Sequence, residues 1–317
     1  MAKKQRSSRN KTLTLTEEEY AFYAEKLLCP KKKLTKNELE NQIICADLLN
    51  SIELLPSGFV DLLILDPPYS IEKDFHGKRF SNKDHNAYLE YLESWFPKLL
   101  RLLKADASIY FCGDWRSSSA VFLLLEKYTT IRNRITWQRE KGRGSLTNWK
   151  NACEDIWFAT KGKEYFFNVD AVKMRRKVIA PYRVDGKAKD WEETEAGNFR
   201  LTHPSNFWDD ISVPYWSMPE NTDHPTQKPE KLMAKLILAS TKEGDFVFDP
   251  FLGSGSSAVT AKKLGRKFAG IEINQEYCCW ALARLERAES NKDIQGYTNG
   301  VFWERNTLNE QKKLARE

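Results

Sequence analysis

The sequence predicts an α/β protein whose mostly parallel sheet is covered by helices, and three observations carry that prediction. Val60 to Leu65 reads as an apolar run of strand length, as a strand buried on both faces requires. Two strand–helix–strand units follow the same order: Val60–Leu65, Tyr88–Leu103 and Ser108–Cys112, then Phe246–Asp249, Ser256–Leu264 and Lys267–Ile273. Both leading strands run directly into an acidic residue and a turn, Asp66-Pro67-Pro68 in one case and Asp249 with Gly253 and Gly255 in the other. Open α/β sheets bind ligands outside the carboxyl ends of their strands.

Taken in order, residues 1–40 form a basic tail with a KKK run at Lys31–Lys33 and a short helix near Leu15–Leu28, expected as a solvated arm. Residues 41–160 hold the strand Ile43–Cys45, with Asp47 just past its end, and the first unit, in which the polar segment Ser70–Asn86 follows Asp66-Pro67-Pro68-Tyr69. Tyr88–Leu103 is amphipathic. Arg134–Gln138 and Asp155–Thr160 read as a hairpin-like pair around the basic, glycine-rich stretch Lys141–Ser145. Residues 161–223 lose periodicity, with basic Lys173–Lys177 and acidic Asp190–Glu195, and read as an insertion outside the sheet core. Trp191, Trp208 and Trp216 are expected in the interior. Residues 224–290 begin with His224-Pro-Thr-Gln-Lys-Pro229 and the helix Pro229–Thr241, then carry the second unit; 291–317 are a C-terminal tail.

Composition sets limits around this frame. The chain of 317 residues has 50 Lys and Arg against 44 Asp and Glu, a formal charge of +6 that suits a polyanionic partner without requiring one. Its six cysteines form no C-x-x-C pair, and the four histidines supply no metal-binding spacing, so reduced thiols in a cytoplasmic protein without a metal centre are expected. No apolar run reaches membrane-spanning length, so no membrane association is expected.

Three segments carry chemistry. Two prolines after Asp66 fix the backbone and remove its donors, so a carboxylate and a carbonyl can together grip one amino group while Tyr69 offers a ring face. Such acceptors raise electron density on an amine whose lone pair is delocalised into a ring. A bare polyproline turn is the competing reading of the tetrapeptide alone. Gly253 and Gly255 let the backbone approach a ligand at a helix N-terminus, and Glu272, one unit later, can accept both hydroxyls of a ribose. Together they indicate a nucleoside-bearing ligand; a dinucleotide competes, but Ala258 breaks the third glycine position of that fingerprint. Thr226 and Lys228 can hold a carboxylate, with Pro229 suited to a first helical turn.

In this order the three segments, with Asn151–Lys161 and Pro204–Trp208, resemble the β group of bacterial DNA amino methyltransferases of restriction–modification systems. The resemblance runs from about Ile43 to Leu285. It implies an S-adenosylmethionine-dependent methyltransferase fold, a mostly parallel seven-stranded sheet with one antiparallel strand in circularly permuted motif order, with residues 161–223 as the target-recognition region. It further implies transfer of a methyl group to adenine N6 of a flipped-out base in a short site on double-stranded DNA. Asp66 and the Pro67 carbonyl would take the amino group and Tyr69 would stack on the base. Thr226, Lys228 and Ser254 would surround the methionyl carboxylate, Asp66, Asp249 and Phe251 its amino group, Glu272 the ribose and Asp47 the cofactor adenine. Leu65, His224, Gly253 and Gly255 complete that cofactor set. Lys141, Arg143, Lys173, Arg175, Arg176 and Arg183 are the candidates for DNA contact. Partners implied are a cognate endonuclease and a second copy of the chain; the location implied is the bacterial cytoplasm, at the nucleoid. Cytosine N4 is the rival target, disfavoured because that subgroup more often has serine at the position of Asp66.

Overall fold

The computed structural model describes residues 7–69, 73–75, 78–80, 85–139, 146–179, 182–185 and 187–314. In chain order the principal elements are α1 (Glu17–Glu25), β1 (Gln42–Cys45), β2 (Val60–Leu65), α2 (His85–Leu99), β3 (Leu103–Gly113), α3 (Ser118–Tyr128), β4 (Thr130–Gln138) and β5 (Cys153–Thr160). There follow β6 (Met174–Lys177), β7 (Glu192–Thr194), β8 (Gly197–Thr202), β9 (Phe207–Trp208), α4 (Glu230–Ser240), β10 (Phe246–Asp249), α5 (Ser256–Lys263), β11 (Lys267–Glu272), α6 (Gln275–Ser290), β12 (Tyr297–Thr298) and β13 (Val301–Trp303).

The central sheet has eight strands in the order β1-β11-β10-β2-β3-β5-β4-β9. All neighbours pair parallel except at β5, which runs antiparallel to both β3 and β4. The single antiparallel strand is therefore as expected, and the eighth strand is the two-residue β9, added at the edge from the inserted region. Side-chain alternation divides the core into two layers. Leu63, Leu65, Ile109 and Phe111 face α2 and α3, whereas Leu62, Ile64, Tyr110 and Cys112 face α4, α5 and α6. Asp61 interrupts the apolar run of β2, and its carboxylate is taken up by Lys104 at 2.6 Å and the Phe246 N–H at 2.9 Å.

Three expectations need correction. Residues 7–40 are not a solvated arm: Leu13 and Leu15 bury against Tyr277, Trp280 and Ala283 of α6, and a Thr16–Glu19 capping box starts α1. The inserted region and the C-terminal segment are not separate either. Strands β7, β8 and β6 join β13 and β12 in one five-stranded sheet, with Phe302 paired to Met174. Two lysines of α4 fasten this sheet to the helix, Lys231 donating to the Trp303 carbonyl and Lys235 lying against Met174, and buried Asp210, just past β9, neutralises them in ion pairs at 2.6 and 2.7 Å. Trp191 and Trp208 are interior as expected, but Trp216 is half exposed. Among the described residues no helix is long and apolar enough to cross a membrane.

Candidate functional site

Four parallel strands deliver acidic side chains to one edge of the sheet. In the order β1, β11, β10, β2 these are Asp47, Glu272, Asp249 and Asp66, each at or just past the strand's carboxyl end. They line a cavity of ≈ 360 Å³ together with Pro67, Tyr69, Tyr91, Trp95, His224, Thr226, Lys228, Phe251, Gly253, Ser254, Asn274 and Tyr277. Every sequence-selected catalytic and cofactor residue lies on this wall except Leu65 and Gly255, which stand behind it: Leu65 is fully buried and Gly255 packs on Ala281.

Local chemistry fixes each acid. Asp47 caps the short helix Leu48–Ser51 by accepting from the Leu49 N–H at 2.9 Å. Glu272 accepts from the Gly253 and Asn274 N–H groups at 2.9 and 2.8 Å, which ties β11 to the glycine turn. That turn requires glycine at 253, where φ is +55° and an added Cβ would lie 2.9 Å from His224 Nε2. Asp249 accepts from the Ser257 hydroxyl at 2.5 Å and the Phe251 N–H at 3.0 Å. Burial pushes its carboxyl up to about 7 against those two hydrogen bonds, with the charges of Asp66 and Glu272 adding to the rise.

Asp66 is held differently. Its Oδ1 accepts from the Tyr69 hydroxyl at 2.7 Å, and Lys228 Nζ donates to Oδ1 at 2.8 Å, to Oδ2 at 2.7 Å and to the Tyr69 hydroxyl at 3.1 Å. Lys228, expected at the methionyl carboxylate, therefore sits on the Asp66 carboxylate. Burial opposes its charge, but Asp66 and Glu154 reverse that and hold the ammonium above the usual lysine range. Ser254 is likewise engaged from behind, its carbonyl accepting from Arg284 at 2.7 Å. Glu154, from the start of β5, and Arg139, just after β4, reach the same edge; neither is singled out by the sequence patterns. The usable signal is the acidic pair Glu154-Asp155 immediately before the apolar stretch Ile156–Ala159.

The basic residues expected to meet DNA are mostly matched within the protein. Lys173 pairs with Asp170 at 2.7 Å, Arg175 with Glu192 at 3.2 Å, Arg176 with Asp209 at 3.8 Å and Arg183 with Glu193 at 3.2 Å. The acidic run that the sequence shows apart from the basic one supplies two of these partners, from β7. Lys141 and Arg143 lie outside the described residues, as does most of the polar segment 70–86.

A parallel sheet with a nucleoside-sized, acid-lined cavity at its carboxyl edge, beside an Asp-Pro-Pro-Tyr turn, defines a group-transfer enzyme of the methyltransferase type. Residues 60–283 match the family described as DNA methylase. The Type II methyltransferase M.HpaI of Haemophilus parainfluenzae is 34% identical over 251 residues, covering 78% of this chain and 75% of its own. The DNA adenine methyltransferase YhdJ of Escherichia coli is 35% identical over 248 residues, covering 78% of this chain and 83% of its own. Among solved structures, the M1.HpyAVI–SAM complex superposes with a TM-score of 0.52 at 25% identity over 77% of this chain and 99% of that one. The cytosine-N4-specific PvuII DNA methyltransferase shares the fold, with a TM-score of 0.57 at 16% identity over 78% of this chain and 90% of that one. The chain belongs to the DNA methylase family.

Proposed function

We propose that this protein transfers a methyl group from S-adenosylmethionine to adenine N6 of a flipped-out base within a short site on double-stranded DNA. The observation that carries the reading is the Asp66 carboxylate, at the edge of the acid-lined cavity and beside the rigid Pro67-Pro68 turn. The residues present fit the cofactor. Its sulfonium and ammonium suit a wall rich in carboxylates, its ribose hydroxyls suit Glu272, and its adenine suits the aromatic and apolar side near Asp47, Tyr91 and Phe251.

The cofactor supplies an already activated methyl group, so the protein's work is placement and electrostatics. Asp66 and the Pro67 carbonyl take the hydrogens of the exocyclic amine, which builds density on its nitrogen, and Tyr69 offers a face to the extruded ring. Glu272, clamped between two backbone donors, presents its carboxylate to the ribose hydroxyls. Gly253 lets the turn approach without a side chain. Thr226 and Ser254 are assigned to the methionyl carboxylate, with Lys228, expected there too, held instead on Asp66, and Lys141, Arg143, Lys173, Arg175, Arg176 and Arg183 are assigned to DNA. The second role of those last four requires that their internal ion pairs open to phosphate. Residues 161–223 serve target recognition, with 41–160 and 224–290 as the two halves of the catalytic domain.

The same proposal makes the protein the modification member of a restriction–modification pair, as the name of the relative M.HpaI supports, with a homodimeric state and a place at the nucleoid following from resemblance alone. Identification of the methylated nucleoside tests the base assignment: N6-methyladenine is the expected product.

Asp249 predicts a proton linkage. A cationic ligand favours the ionised carboxylate, so S-adenosylmethionine binding should tighten as pH rises through about 7 and should release a proton below it. In the free protein the sign is opposite. A raised carboxyl contributes stability that is present below its ordinary value of 3.8 and is lost as pH rises through about 7. Calorimetry in buffers of differing ionisation enthalpy reads the released proton, and Asp249→Asn should abolish it. Equal heats in all buffers for the unaltered protein would remove Asp249 from this role.

A further inference from the structure

As it stands Asp66 is poorly placed to serve a target amine, because Lys228 holds both of its oxygens and three of its roughly four acceptor positions are taken. Two of the three Lys228 protons point at Asp66 and the third at the Tyr69 hydroxyl, which itself donates to Asp66. Lys228 is only 5% exposed, so an ammonium leaving Asp66 must find another anion inside the protein. One is present. Glu154 is 5% exposed, its Oε1 is taken by Arg139, and its Oε2 has no hydrogen-bond partner among the described residues. That oxygen stands 3.4 Å from Lys228 Nζ, so an approach of roughly half an ångström would convert the contact into an ordinary hydrogen bond.

The surrounding space allows the movement. Lys228, Thr226, Gln227 and His224 form a wall shared by the ligand cavity and a second cavity of ≈ 340 Å³, and Arg139 and Glu154 line the second one. An ammonium moving from Asp66 towards Glu154 therefore turns between two open volumes, not into packed side chains.

We propose that Lys228 is a two-position lysine and that Glu154 is the positioning residue that receives it: when the amino group of the target base arrives, Lys228 passes from Asp66 to Glu154 Oε2. The inference rests on the amine-methylation reading above. No bond is made or broken beyond hydrogen bonds. The two from Lys228 to Asp66 are lost, one to Glu154 is gained, and one of the freed Asp66 lone pairs accepts the base N–H. In the free protein Lys228 keeps Asp66 neutralised and oriented; in the loaded complex Glu154 prevents an uncompensated buried charge. A Glu154→Gln change removes the anion at the receiving position, so Lys228 stays on Asp66.

The test uses the full chain, unmethylated genomic DNA and tritiated S-adenosylmethionine under single-turnover conditions. Glu154→Gln should slow methyl transfer by about 10–100-fold while half-saturating DNA and cofactor affinity, the latter read by calorimetry, stay within about threefold. Once Lys228→Met has removed the lysine, adding Glu154→Gln should slow the reaction no further, because there is nothing left to hand over. If the glutamine variant does not fold, Glu154→Asp, whose carboxylate is drawn back by one methylene, should give an intermediate rate. A Glu154→Gln rate within about threefold of the parent, or effects of the two substitutions that multiply, overturns the handover. A parent that leaves DNA unmethylated overturns the amine-methylation reading itself and the handover with it.

Discussion

Asp66→Ala should abolish methyl transfer while leaving the protein folded, with a loss on the order of 10²–10³-fold or more in the single-turnover rate. The expectation follows from what the carboxylate does and from what its removal leaves behind. In the proposed reaction Asp66 is the acceptor beside the rigid proline turn, and the carbonyl of Pro67 alone would give the amine one partner instead of two. The fold should survive because Lys228 still faces Glu154 at 3.4 Å, so its charge is not stranded. S-adenosylmethionine should still bind, since Glu272, Asp249 and Asp47 remain, with a modest loss of affinity from the missing anion. Rapid-quench kinetics alongside calorimetry separates the two effects. A variant that binds cofactor normally and methylates within about tenfold of the parent would show that Asp66 is not the amine acceptor.

Asp210→Ala should produce the largest loss of stability, about 3–5 kcal/mol, because it strands two buried ammonium groups. Lys231 and Lys235 both lie within 2.7 Å of this carboxylate, and Lys235 is 1% exposed. Burial already presses Lys235 down to about 8, against the pull of Asp210. With a depressed folded value, the contribution of Lys235 to stability is present above its ordinary 10.5 and lost as pH falls through about 8. In the variant the deficit should therefore narrow as pH is raised from about 7 towards about 10, where the lysines can fold uncharged. Thermal melting should show a drop of about 10 °C near neutrality. A melting point unchanged from the parent would mean that this carboxylate is not what compensates the two buried lysines of α4.

What was legible in the sequence is what local chemistry determines. Asp66, Asp249 and Glu272 could be placed because each ends an apolar strand of a β-α-β unit, and the glycine turn at 253–255 has few conformations available. Lys228 could be found but not its partner. That it reaches Asp66 and Glu154 depends on β5 inserting antiparallel between β3 and β4, a non-local arrangement that no window of residues displays. The inserted region was unreadable for a similar reason. Its sheet joins Met174 to Phe302 across more than a hundred residues, and its strands of three to six residues are too short for a periodic signal. Its opposite charges, scanned as separate basic and acidic runs, are ion pairs such as Arg175 with Glu192, which meet across the intervening β8. At the N-terminus Leu13 and Leu15, with Tyr20, Tyr23, Ala24 and Leu27 beside them, dock a polar segment on α6, a signal below what composition reveals.

In the proposed reaction an amine held by Asp66 receives the methyl group, and that amine belongs to adenine. The direct test is to incubate the full chain with unmethylated genomic DNA and tritiated S-adenosylmethionine, digest the DNA to nucleosides and separate them. Label in N6-methyldeoxyadenosine, absent with Asp66→Ala, is the predicted result; label in N4-methyldeoxycytidine, or none in DNA, would contradict it.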